Sequence, residues 1–172
     1  MSIRLAILTV SDTGAAGRRR DASGPAVERA LKAIDARVVV RRIVPDDRAV
    51  IRHALRACVA QADLVVTTGG TGLSPRDVTP DATRDVIDRE VPGLAEAMRA
   101  EGLRHTPRAA LSRAVVGTVG TSLIVNLPGS PRGVTENLAA IIDAIPHALE
   151  TLRGVGECAR PDDPERAGAP HA

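Results

Sequence analysis

A chain of 172 residues with a net charge of +2 suits one domain with a substantial core. It contains no Phe, Tyr or Trp, so the aromatic platforms that bind single-stranded nucleic acid are excluded, and the charge is too small to argue for DNA. No apolar stretch approaches the about 18 residues of a membrane helix.

Met1-Ser2-Ile3-Arg4-Leu5 reads as direct entry into a strand rather than a secretory leader. Cys58 and Cys158 lie far apart, so no disulfide is expected and the expected compartment is a reducing cytoplasm. Without aromatic rings the core must be built from Val, Leu, Ile and Ala. The basic side chains are Arg apart from Lys32.

Ile3 to Val10 is apolar on both faces, the pattern of a central strand. It runs into Ser11-Asp12-Thr13-Gly14 and then Arg18-Arg19-Arg20-Asp21, a short charge run that could meet a phosphate but reads better as a solvated loop. Ser23-Gly24-Pro25 opens a helix to about Ile34, with Ala26, Val27, Ala30, Leu31 and Ile34 on one face. A second strand, Arg37 to Val44, stops at Pro45-Asp46-Asp47, where Asp46 or Asp47 caps the next helix. That helix carries Val50, Ile51, Ala54, Leu55, Cys58 and Val59 on its apolar face. Asp63 to Thr68 is the third strand.

The third strand breaks into Gly69-Gly70-Thr71-Gly72 and reaches a helix start at Thr79-Pro80-Asp81: Thr as cap, Pro at the first helical position, Asp in the first turn. Strand, Gly-rich loop and helix N-terminus together favour an anion. The loop is not a P-loop, because Ser74 or Pro75 falls where the second Gly must stand and no Lys follows. Nor is it a dinucleotide fingerprint, because Pro75 takes the last position. A bare turn would not require Arg76 and Asp77.

Pro80 to Arg89 is expected as a helix, broken by Val91-Pro92-Gly93, with another from Leu94 to Leu103. Ala114 to Val119 and Thr121 to Leu127 flank Gly120 as a hairpin, so one strand should run antiparallel to its neighbour. Asn126-Leu127-Pro128-Gly129-Ser130-Pro131 is a further strand-to-helix junction with Ser130 as cap. Its helix is expected to reach about Leu152, kinked or split at Pro146. From residue 154 onward, Gly, Pro and charge suggest a flexible tail, leaving 1–153 as one α/β domain.

The alternation implies a three-layer α/β/α sandwich with a mostly parallel central sheet and one antiparallel strand. Loops after parallel strands share one edge of the sheet. Ser11-Asp12, Pro45-Asp46, Gly69 to Asp77 and Asn126 to Ser130 therefore converge on one pocket.

These residues resemble the MogA/MoaB family of molybdenum cofactor biosynthesis proteins. The resemblance lies in Leu8 to Asp12, Val44-Pro45-Asp46, Thr67 to Gly72 with Arg76 to Thr83, Ala110 to Arg113, and Asn126 to Pro131, in order. It implies that fold, commonly a homotrimer, and Mg²⁺-dependent adenylylation of molybdopterin by ATP with release of pyrophosphate. It implies catalytic and metal-holding roles for Asp46 and Asp77. It implies pterin or nucleotide contacts at Ser11, Asp12, Thr68, Gly69, Gly70, Thr71, Gly72, Arg76, Asn126, Pro128, Gly129 and Ser130. Arg132 stands where many members carry Lys, and Arg18 to Arg20 replace a variable loop that is often aromatic or polar. Some members bind pterin without adenylylating it, so a carrier or scaffold is the alternative.

The residue types suit phosphoryl chemistry. A phosphate monoester is already largely ionised at neutral pH, so its attack needs no strong base. None of the four loops offers His or Cys. Positioning and charge neutralisation are what remain to be supplied, and Mg²⁺ takes one or two carboxylates plus phosphate oxygens.

Overall fold

The computed structural model describes residues 2–154; the expected tail and Cys158 lie outside the described residues. One six-stranded sheet has the order β2-β1-β3-β6-β5-β4. Its strands are β1 (Ile3–Val10), β2 (Ala36–Val44), β3 (Leu64–Thr68), β4 (Arg89–Glu90), β5 (Val116–Val119) and β6 (Ser122–Leu127). β2, β1, β3 and β6 run parallel. β5 is antiparallel to both β6 and β4, so the hairpin around Gly120 supplies the single reversed strand that the sequence implies.

β1, β3 and β6 are buried on both faces, because helices cover both sides of a parallel sheet. One face packs Leu5, Ile7, Val66, Leu123 and Val125 against α2 (Ser23–Leu31), α5 (Pro92–His105), α6 (Pro131–Ala139) and α7 (Ala144–Leu152). The other packs Ala6, Leu8, Val65 and Ile124 against α3 (Arg48–Val59) and α4 (Thr79–Arg84). The fully buried large side chains are aliphatic, as a composition without rings demands.

Two local readings are corrected, and a third, the split of the last helix, is met with the break a few residues before Pro146. α4 ends at Arg84 rather than at Arg89, because Asp88 donates its N–H to the Thr118 carbonyl and draws the chain into the edge strand β4. Thr79 does not cap α4. It is the first helical residue, and its hydroxyl donates to the Gly69 carbonyl at 2.9 Å. The last helix divides outright into α6 and α7, with the break at 140–143 and Pro146 in the first turn of α7, where a missing N–H costs no intrahelical bond.

The caps at the site edge follow the sequence. Asp47 caps α3 by accepting the Val50 N–H at 2.9 Å, which leaves Asp46 for other work. Ser130 caps α6 by accepting the Gly133 N–H at 3.1 Å, with Pro131 at the first helical position.

Candidate active site

All four loops meet at the carboxyl ends of the parallel strands. Ser11 N–H donates to the Val44 carbonyl at 2.9 Å, and Gly69 N–H to the Leu127 carbonyl at 3.1 Å. Asp12 N–H donates to Asp46 Oδ2 at 2.8 Å, and Asp46 N–H returns a bond to Asp12 Oδ1 at 3.0 Å. Arg76 closes on Asp12 with its Nη2 2.7 Å from both carboxylate oxygens.

The Gly loop is shaped by two residues that only glycine serves. Gly69 has φ +93° and Gly70 φ +64°, a region that side chains rarely enter. A Cβ on Gly69 would collide with the Val10 carbonyl, and one on Gly70 with the Thr79 hydroxyl. A Cβ on Gly70 would also stand 3.2 Å from Asp46 Oδ1, and one on Gly72 3.0 Å from Asp77 Oδ2. The absence of side chains at 70 and 72 leaves both carboxylates open to the loop.

Burial pushes the Asp46 carboxyl above its ordinary range, and the charges of Asp12 and Asp77 push the same way. The bond from Asp12 N–H and the Arg76 charge oppose them. Asp12 moves downward, chiefly through its hydrogen bonds with Arg76. A carboxylate that is partly desolvated and next to two others is a place where a cation is welcome. Asp77 is held by the Ser74 N–H at 2.8 Å to Oδ2. Among the described residues no cluster of three or more metal-ligating side chains forms. Asp46 and Asp77 both border the glycine loop, and carboxylates are the ligand type that suits a hard ion filling its remaining positions with phosphate oxygens and water.

Two cavities flank the Gly129-Ser130 turn, and Ser130 lines both. The larger, about 380 Å³, has Thr71, Gly72 and Pro128 on one side and Met98, Ala109 and Leu111 on another. The smaller, about 310 Å³, is walled by the hydroxyls of Thr9, Ser11, Ser23 and Thr68, with Gly129 at its rim. Gly129 approaches the Gly loop so closely that a Cβ there would lie 3.3 Å from Gly69 Cα.

One expected contact residue, Asn126, faces inward instead. Asn126 is fully buried: its Oδ1 accepts the Val115 N–H at 3.2 Å, and its Nδ2 donates to Thr67 Oγ1 and Thr83 Oγ1 at 3.0 and 2.9 Å. Thr68 is also buried, with its hydroxyl 2.7 Å from Ser23 Oγ. Asn126 braces the site, whereas Thr68 keeps a place on the wall of the smaller cavity. Two other residues escaped the sequence reading. Asp21 accepts from Thr9 Oγ1, Ser23 Oγ and Gly24 N–H; an Asp two residues before Ser23-Gly24 is a helix-start signal that could have found it. Arg113 grips both Asp81 oxygens at 2.6 Å and the Asp77 carbonyl at 3.0 Å.

Residues 6–147 match the family described as "probable molybdopterin binding domain". The chain belongs to this family. It is similar to the molybdopterin adenylyltransferase of Helicobacter pylori, 40% identical over 157 residues that cover 89% of each chain. It is also 40% identical over 154 residues to the molybdenum cofactor synthesis protein cinnamon of Drosophila melanogaster; the match covers 88% of this chain but only 26% of that longer protein. Among solved structures, the molybdopterin biosynthesis enzyme MoaB of Thermus thermophilus superposes with TM-score 0.83 at 50% identity, covering 88% of this chain and 97% of the other. The α/β architecture is thus that of the molybdopterin-binding family.

Proposed function

We propose that this chain acts in molybdenum cofactor biosynthesis, transferring the adenylyl group of ATP to the terminal phosphate of molybdopterin and releasing pyrophosphate. The names of its relatives support the reaction class. What supports it on this chain's own residues is that the Asp46 and Asp77 carboxylates both border the glycine loop, beside Gly70 and Gly72 respectively.

The larger cavity, with its apolar floor, suits a fused heterocycle, and the smaller suits a phosphate chain. Ser130 lies on their common wall, so the phosphates of the two substrates meet there. Gly69 and Gly70 let the backbone come close to them. Asp46 and Asp77 would hold Mg²⁺, which would supply charge neutralisation to the phosphates at the reacting centre. Arg76 neutralises Asp12 so that only two carboxylates face the ion. A molybdopterin phosphate that is already ionised attacks without a base, in keeping with loops free of His and Cys.

The one-domain reading of 1–153 and a homo-oligomer belong to the same proposal, a trimer by resemblance. What supports association is β2, an edge strand carrying exposed Val39 and Ile43, the kind of edge that a lone chain usually protects. No helix among the described residues is long and apolar enough to cross a membrane, which accords with a cytoplasmic setting. The test combines protein, Mg-ATP and molybdopterin and assays pyrophosphate and adenylylated pterin. Pterin binding without either product would reduce the chain to a carrier.

A further inference from the structure

We propose that the smaller cavity takes the β- and γ-phosphates of ATP, and that Arg19 and Arg20 clamp them. The identity of the anion rests on the adenylyl-transfer reading; the anion site itself does not.

Arg19 and Arg20 line this cavity with Thr9, Ser11, Ser23 and Thr68. The charge run expected as a solvated loop is held at both ends. Arg18 and Arg19 donate their N–H groups to the Thr13 carbonyl at 2.9 and 3.2 Å, and Gly17 N–H bonds the Gly14 carbonyl at 3.0 Å. Immediately after Arg20, Asp21 is fastened by Thr9 Oγ1 at 2.8 Å, Ser23 Oγ at 3.1 Å and Gly24 N–H at 3.0 Å. Two arginines thus project from a fixed segment beside a polar chamber.

Their charge is not consumed. Arg4, Arg48, Arg76, Arg84, Arg113 and Arg132 each reach a carboxylate at 2.6–2.8 Å. Among the described residues, Arg19 and Arg20 form no ion pair. The one acid on the cavity wall is Asp21, and both its oxygens already accept hydrogen bonds. The opposite wall is Ser130-Pro131, the start of the nine-residue helix α6, whose positive end adds to the field.

The chemistry selects the pyrophosphate half of ATP. An oxygen of the molybdopterin phosphate bonds to the α-phosphorus while the bond from that phosphorus to the β-bridging oxygen breaks. The electron pair stays on pyrophosphate, which leaves carrying most of the charge of the products. Two forked guanidinium groups match its oxygens two at a time. Asp46 and Asp77 serve the α-phosphate across Gly69-Gly70, so the metal and the arginines divide the charge between them.

The test is calorimetric titration of the full chain with inorganic pyrophosphate, for wild type, the double variant Arg19→Ala/Arg20→Ala, and Arg19→Lys/Arg20→Lys. The expected result is a loss of at least about tenfold in pyrophosphate affinity for the Ala pair and partial recovery for the Lys pair, which restores charge but not the fork. The Ala pair should also raise the KM for ATP to a similar extent and leave molybdopterin affinity within about twofold, because a phosphate clamp on one substrate has no contact with the other. Both arginines are exposed, so thermal midpoints should stay level. Pyrophosphate affinity unchanged in the Ala pair overturns the clamp, and so does selective loss of molybdopterin binding. If pyrophosphate binds through the arginines but no adenylylated pterin forms, the anion site stands and the functional reading falls.

Discussion

Asp12 and Asp46 each accept the other's backbone N–H, at 3.0 and 2.8 Å. The exchange ties the loop after β1 to the loop after β2 and holds two like charges side by side. Arg76 relieves Asp12, but Asp46 stays partly desolvated with its proton affinity raised.

The direction of that shift fixes a pH dependence. A carboxyl whose folded pKa lies above its unfolded value costs stability once pH exceeds the ordinary carboxylate range, and the cost disappears on acidification. Asp46→Asn keeps an oxygen for the Asp12 N–H and removes the charge. The variant should melt above wild type at pH 8, with the difference vanishing below about pH 4. Mg²⁺ should narrow the gap at pH 8 by binding wild type alone. A variant that melts lower at pH 8, by an amount independent of pH, would contradict this account.

Asp77→Asn should leave the fold and molybdopterin affinity near wild type while adenylylation falls by about two to three orders of magnitude, the usual loss on removing one electrostatic contributor at a reacting centre. If Asp46 and Asp77 hold one ion, the double variant should fall far short of the product of the two losses. Wild-type turnover by Asp77→Asn at saturating Mg-ATP would refute the role given to it.

Arg113→Lys tests the brace beneath Asp77. The fork on Asp81 and the bond to the Asp77 carbonyl cannot both be made by an ammonium group. A fall of about tenfold in kcat with either KM changed by less than about twofold is expected, since the residue lines neither of the two cavities beside Ser130. A rise in KM without a change in kcat would make Arg113 a binding residue.

Asn126→Ala strands the Val115 N–H and the hydroxyls of Thr67 and Thr83. Stability should drop by about 2–4 kcal/mol in denaturant unfolding. Ligand affinity per folded molecule should be unchanged. Full stability with weakened binding would return Asn126 to the pocket.

Asp63 offers a second pH probe, far from the site. Arg4, with help from Arg153, holds its carboxyl down at about 2. Stability from this depressed group is complete above the unfolded value and is lost as pH falls toward 2. Asp63→Asn should therefore cost about 1–2 kcal/mol at pH 7, allowing for the exposed Arg4 partner, and almost nothing at pH 2. An equal cost at both pH values would mean packing, not charge, holds this corner.

Most of the architecture was legible because strand and helix signals agreed. Ser130-Pro131 marked the start of α6, and the apolar runs of β1 and β3 marked a covered sheet. β4 was invisible because Arg89 and Glu90 are both exposed and carry no alternation; the Thr118 and Val116 carbonyls across the gap recruit the segment through the N–H groups of Asp88 and Val91. Thr79 beside Pro80 looked like a cap, yet tertiary contact gave its hydroxyl a better acceptor in Gly69. Asn126 looked ligand-facing because it precedes Pro128-Gly129. Alternation along β6 turns it toward the layer of Ile124 and α4, beneath the loop. Arg19 and Arg20 could not be placed from sequence, since nothing local shows that Thr13 and Asp21 pin their loop.

The absence of any aromatic side chain has an optical consequence. With no Phe, Tyr or Trp, the chain has no aromatic chromophore in the near ultraviolet, since its peptide bonds absorb only at shorter wavelengths. Light absorbed or emitted there on mixing with a pterin or an adenine nucleotide therefore belongs to the bound ring. Each ring is thus its own reporter, free of inner protein signal and of quenching by a neighbouring indole or phenol. A colour change on transfer would follow the bound pterin's surroundings alone.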